Sequence, residues 1–295
     1  MKNDSTAKSR FCLILAMTIF GTIGIFRRMV DIPSGMLACF RGVIGTVFLI
    51  LFLVIRKQKP NFSVFRNHLP LLCLSGALIG INWILLFEAY NYTTVAAATL
   101  CYYMAPVFVI LVAALFLKER MTLLKWICVA AAVMGMVLVS GVLNGENAGP
   151  DNTRGILLGL GAAFLYAAVV LINRTFSGVP PIERTVFQLG SAAIVLIPYI
   201  LLAEEASQVR MSGRTVLLVL LIGILHTGIA YLLYFGSMDR LRIQTVALFS
   251  YIDPVVAVLL STLLLKENIG VTGWVGAFMI LGATLVNELF DMQKN

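Results

Sequence analysis

Residues 100–126 and 248–274 are two versions of one segment. The stretches LCYYMAPVFVILVAALFLKERMTLLKW and LFSYIDPVVAVLLSTLLLKENIGVTGW align without a gap at a spacing of 148 residues. The alignment pairs Tyr103 with Tyr251, Pro106 with Pro254, Lys118-Glu119 with Lys266-Glu267 and Trp126 with Trp274. Such a repeat predicts two related halves, residues 1–148 and 149–295. Each copy opens with an apolar run long enough to cross a bilayer. The duplication therefore belongs to a membrane-embedded chain, and duplicated helical bundles in membranes are characteristically carriers.

Composition points the same way. With 60% apolar and 12% charged residues, the 295-residue chain has too little polar surface to cover a water-soluble globule. Apolar runs bounded by charges, Gly, Pro and Asn predict helices over 11–28, 34–55, 68–90, 94–117, 122–143, 155–175, 182–203, 215–237, 243–265 and 270–290. The most hydrophilic connection, Asn144–Arg154, falls at the midpoint and reads as the linker between halves. The first run resembles a signal peptide but ends in Arg27-Arg28 without a small-x-small cleavage site, so it is expected to remain as the first helix.

The charges set an orientation. With a cytoplasmic N-terminus, fifteen of the 22 Lys and Arg residues fall on the inner side, so both termini are expected in the cytoplasm and the net charge of +8 needs no nucleic acid to explain it. Five helices per half is an odd number, so the two halves enter the membrane from opposite sides. The predicted fold class is an all-α membrane protein with ten transmembrane helices as two inverted five-helix repeats, its site near the midplane between them. The five cysteines (Cys12, Cys39, Cys73, Cys101, Cys128) lie singly inside apolar runs without paired spacing, an arrangement that argues against disulfides and zinc. No GxxxxGK[ST] occurs, so no nucleotide-driven step is expected of this chain, and no cofactor is called for.

The pattern from Glu88 through Leu100 (EAYNYTTVAAATL), Pro106 in mid-helix and Leu117-Lys-Glu-Arg-Met-Thr resembles the signature of the EamA family of the drug/metabolite transporter superfamily. The second copy, through Pro254 and Leu265-Lys-Glu-Asn, is similar to it too. The resemblance covers essentially the whole chain. It implies a ten-helix inverted-repeat carrier of small polar molecules in the cytoplasmic membrane, often an exporter of amino acids or related metabolites. The chain departs from the general pattern by placing Asp253 immediately before the second proline.

Candidate site residues follow from polarity at depth. Arg41, Glu88, His226 and Asp253 are ionisable groups inside apolar runs, each costing about 2.5–3.5 kcal/mol at a helix centre, and are expected to face the bundle interior. Asp253 and His226, both deep, form a candidate proton or substrate-ammonium site. The alternative is a neutral acid and a neutral imidazole held by local hydrogen bonds. Arg41 and Glu88 are expected at comparable depth on neighbouring helices, either as a structural ion pair or with Arg41 free to bind a substrate carboxylate. Lys118-Glu119 and Lys266-Glu267 read as solvated charge at helix ends. Asn82, Trp83, Tyr102, Tyr103, Tyr166, Tyr231, Tyr234 and Tyr251 are candidate cavity walls or packing groups. Pro106 and Pro254 remove a helical hydrogen bond and are expected to kink their helices, as a hinge, a cavity-shaping bend or a static feature.

Small residues at four-residue spacing, Gly76/Gly80 and Gly155/Gly159, are assigned to close helix packing. A secondary transporter of small metabolites is thus the primary reading, and a flippase for a lipid-linked sugar is its competitor. A membrane-embedded enzyme would need clustered catalytic groups near an interface, which the sequence does not offer.

Overall fold

The structure is a computed structural model, and it describes residues 2–57, 62–116, 121–141, 151–176, 178–204, 209, 211–238, 241 and 243–294. Among these residues every regular element is helical. The first half contributes α1 (Lys2–Gly21), α2 (Ile23–Arg28), α3 (Ser34–Ile55), α4 (Phe62–Tyr92), α5 (Val95–Tyr102), α6 (Ala105–Phe116) and α7 (Leu123–Val139). The second contributes α8 (Asn152–Asn173), α9 (Pro181–Ala203), α10 (Gly213–Leu221), a π-helical stretch (Ile222–Ile229), α11 (Ala230–Met238), α12 (Ile243–Ser250), α13 (Ile252–Leu264) and α14 (Val271–Lys294). Each of the ten apolar runs read from the sequence is largely helical where described, three of them interrupted by a turn. Eight are long and apolar enough to span a bilayer, while Leu123–Val139 and Leu248–Leu264 are shorter apolar helices. The predicted central linker and Lys118-Glu119 lie largely or wholly outside the described residues.

Proline acts more sharply than a kink. The helix carrying Pro106 is interrupted by a turn at Tyr103-Met104, and the one carrying Pro254 by a turn at Tyr251. Each proline then sits in the first turn of the new helix, where its missing N–H has no partner to lose. At both breaks the backbone tightens to three-residue bonds, Met104 N–H to the Cys101 carbonyl at 3.1 Å and Tyr251 N–H to Leu248 at 3.4 Å.

A third break, at Thr22 between α1 and α2, lies against the second one. A Cβ on Gly21 would stand 2.5 Å from the Asp253 carbonyl oxygen, so only glycine lets α1 approach the start of α13. The small-residue pairs serve packing as predicted. Gly76 and Gly80 of α4 face the α9 backbone at Gln188 and Ala192, and Gly155 and Gly159 of α8 face Thr93 and the Ala98 carbonyl. Gly135 of α7 and Gly276 of α14 press against each other's carbonyl oxygens.

Candidate functional site

The three breaks converge on Asp253. The Tyr103 hydroxyl donates to Asp253 Oδ2 at 2.8 Å, tying the break in the first half to the break in the second. Next along this wall, the Tyr102 ring lies edge-on to Tyr103 at 6.2 Å and 5.5 Å from Tyr166 of α8. Tyr166 shares a helix face with the buried Gly159, Ala162, Ala163 and Val169, yet it is 41% exposed. Phe164, which looks outward, is two positions and about 200° away around the helix. An exposed tyrosine on a buried face means open space inside the bundle, and Tyr166 lines it.

Arg41 borders the same region. It is 6% exposed; its Nε donates to Thr227 Oγ1 at 2.8 Å and its guanidinium stacks 4.1 Å above the Trp83 ring. Tyr231, Tyr102, Tyr90 and Asp253 are its electrostatic neighbours. One cation, one carboxyl and several phenols thus lie within electrostatic reach of one another in the bundle interior.

His226, fully buried, is in the π-helical stretch, where the extra residue per turn re-aims side chains. Its Nε2 lies 2.8 Å from Thr22 Oγ1, which is also 2.7 Å from the Ile19 carbonyl, and the imidazole tautomer sets which partner donates. His226 thus staples the α1/α2 break, edge-on to Phe26 at 5.0 Å, rather than meeting Asp253, and the expected Asp/His pair is not formed.

The Arg41–Glu88 pair is not formed either. Glu88 Oε2 accepts from Ser34 Oγ at 2.7 Å and from Asn91 Nδ2 at 3.1 Å. Ser34 begins α3 and Arg41 lies seven residues further, about 10 Å along the axis, so the two groups sit at different depths. Asn82 is committed to packing, its amide donating to the Ala162 carbonyl. Tyr251, the repeat partner of Tyr103, donates to Glu288 Oε2 of α14 at 3.4 Å instead of reaching the centre. The halves differ here because position 105 is alanine where the second half has Asp253. Tyr231 and Tyr234 meet Phe20 of α1 at 5.5 and 6.4 Å.

Sequence reasoning missed the polar closure at the end of the bundle that carries Arg28. Glu204, just past α9, accepts from the Gly35 and Met36 N–H groups at 2.7 and 2.9 Å, capping α3 where Pro33 offers no side-chain acceptor. Burial holds the Glu204 carboxyl above the usual glutamate range despite these two donors. Arg27 joins the cluster through the Val30 carbonyl and Ser34, both at 3.0 Å. Glu267 caps α5 by accepting from the Val95 N–H at 2.8 Å and pairs with Arg28 at 3.2 Å. Its repetition at position 119 was the available signal, but nothing in the sequence names its partner.

The comparisons agree with this architecture. The sequence matches the EamA-like transporter family over residues 8–141 and again over 153–288. It is 30% identical over 262 residues to the uncharacterized transporter YxxF of Bacillus subtilis, covering 88% of this chain and 82% of that one. It is 24% identical to the protein RarD of Escherichia coli over 273 residues, covering 89% and 88% of the two chains. A solved structure titled only as a crystal structure of a protein shares the fold, with a TM-score of 0.65 at 22% identity over 98% of this chain and 99% of that one. With both halves matched and the apolar helices in place, the chain belongs to the EamA-like transporter family and is a multi-pass membrane transporter.

Proposed function

We propose that this transporter is a secondary carrier that exports small metabolites such as amino acids across the cytoplasmic membrane by alternating access. In this reading ten spans form two inverted halves, residues 1–148 and 149–295, with both termini cytoplasmic and the shorter apolar helices completing the count. The observation that carries it is the Tyr103–Asp253 bond, which joins the two pseudo-equivalent helix breaks beside an interior space lined by Tyr166. Broken helices at a repeat interface are where such carriers hold their cargo.

Arg41 offers a carboxylate partner and Asp253 an ammonium partner, which favours a zwitterion. Counterflow in proteoliposomes tests the reading. Vesicles preloaded with an unlabelled amino acid should accumulate the labelled one above protein-free vesicles. No counterflow with any amino acid, by folded protein, would overturn the cargo assignment.

A further inference from the structure

At the Arg28 end two carboxylates of the second half bond groups of the first: Glu204 takes the Gly35 and Met36 N–H groups, and Glu267 takes Val95 and Arg28. Glu267, from the second half, accepts from the first residue of α5 in the first half, and its other oxygen takes Arg28 Nη2. The same Arg28 nitrogen also donates to the Thr93 carbonyl at 2.8 Å, so α2, the end of α4, the start of α5 and the end of α13 meet at one carboxylate.

A sharp bend in the backbone brings Glu267 there. Lys266 has φ of +56°, a left-handed conformation costing a non-glycine residue roughly 1–2 kcal/mol. The Glu267 N–H then closes the helix end onto the Ser261 carbonyl at 3.2 Å, and the Ser261 hydroxyl donates back to the Glu267 carboxylate. Strain retained in this way marks a position over-determined by its surroundings.

The other end of the gripped helix is the candidate site. α5 is eight residues, about 12 Å, from Val95 under the Glu267 carboxylate to Tyr102, and Tyr103 directly after it bonds Asp253. A short rigid helix is therefore held at one end by a second-half carboxylate and at the other by a second-half aspartic acid. Val95 is fully buried, its side chain wedged so closely against α2 that a Cβ on Gly24 would collide with it.

We infer that Glu267 and Arg28 form the latch that closes the Arg28 end of the bundle, and that α5 is the lever connecting this latch to Asp253. The inference rests on the alternating-access reading. Opening this end requires Glu267 to release the α5 N-terminus, and an event that breaks the Tyr103–Asp253 bond loosens the same helix from its other end.

The test is the sidedness of access to the interior space. In a full-length cysteine-free background, Tyr166→Cys is labelled with a membrane-impermeant maleimide from either face of oriented proteoliposomes. With Glu267 intact, labelling should come mainly from the face opposite Arg28. Glu267→Gln keeps the side-chain volume but removes the negative charge to which Arg28 and the Val95 N–H both donate. It should raise the rate from the Arg28 face about tenfold or more, the equilibrium shift for roughly 1.4 kcal/mol, and lower the rate from the other face. A loss of packing alone would not lower the opposite rate.

Val95→Cys, labelled from the Arg28 face, reads the same opening if Tyr166→Cys fails to fold. Its reactivity should rise with Glu267→Gln while that of a single retained Cys101, buried further along α5, stays unchanged. Unaltered sidedness and unaltered Val95→Cys reactivity in folded Glu267→Gln protein would overturn the latch. Absent wild-type counterflow together with a clear sidedness switch would instead remove the cargo assignment and leave the latch standing.

Discussion

Deleting the Tyr103 hydroxyl in Tyr103→Phe leaves Asp253 without the only donor that contacts its carboxyl among the described residues. The size of the effect depends on the charge of the acid. Hydrogen bonds to charged groups contribute about 1.5–3 kcal/mol, whereas side-chain bonds within membrane bundles average only about 0.6 kcal/mol. A double-mutant cycle with Tyr103→Phe, Asp253→Ala and the combination isolates this bond, because the two side chains touch directly and alanine leaves no acceptor.

The assay is reversible unfolding in mixed micelles across a pH series, with coupling energy taken from the four variants. At 2.8 Å, the bond should give a coupling of about 1.5 kcal/mol or more where Asp253 is ionised and about 0.6 kcal/mol where it is protonated. The step between the two levels would locate the titration of Asp253. In transport, Asp253→Asn should abolish accumulation driven by a pH gradient and spare exchange, whereas Tyr103→Phe should retain both with altered pH dependence. A coupling below about 0.3 kcal/mol at every pH would refute the bond and, with it, the tie between the two helix breaks.

Further expectations concern the walls and the ends. Arg41→Lys keeps the charge but loses the planar stack on Trp83 and the fork that grips a carboxylate, so KM for a zwitterion in counterflow should rise about tenfold with little change in folded yield. An equal effect on a cargo lacking a carboxylate would remove Arg41 from recognition. Gly276→Ala drives a Cβ into the Gly135 carbonyl oxygen between α7 and α14, and should destabilise by about 1–3 kcal/mol in the same unfolding assay. Wild-type stability would show that the contact is loose. Glu204 contributes a pH dependence with a definite sign: its folded pKa is raised above 4.5, so its favourable share is full below that value and is lost as pH rises through the folded pKa. Glu204→Gln should flatten this part of the stability profile above pH 4.5, and an unchanged profile would mean that another carboxyl sets it.

Particular residues show how far the sequence reaches. Pro106 and Pro254, paired by the repeat, announced irregular backbone at matching positions because proline lacks an N–H wherever it stands. The outcome, a full break with proline restarting the helix, depends on what faces the turn. Arg41 and Glu88 looked like partners because both are charges in adjacent apolar runs. Yet Glu88 belongs to Ser34 and Asn91 at the helix end, and Arg41 to Thr227 and Trp83 a turn or two deeper. His226 and Asp253 share a depth in the sequence, but His226 bonds Thr22 and Asp253 bonds Tyr103.

By itself the sequence determined the membrane as solvent, the helical runs, the duplication and the family resemblance. Each follows from local quantities: apolar length, turn residues, and a match at a fixed spacing. Only the tertiary structure decided which carboxylate meets which donor. Hydrogen bonds act over about 3 Å between residues as far apart in the chain as Glu267 and Val95 or Asp253 and Tyr103, and such pairing depends on how the halves dock. The repeat flagged Glu267, but docking is what set its carboxylate over the first N–H of α5.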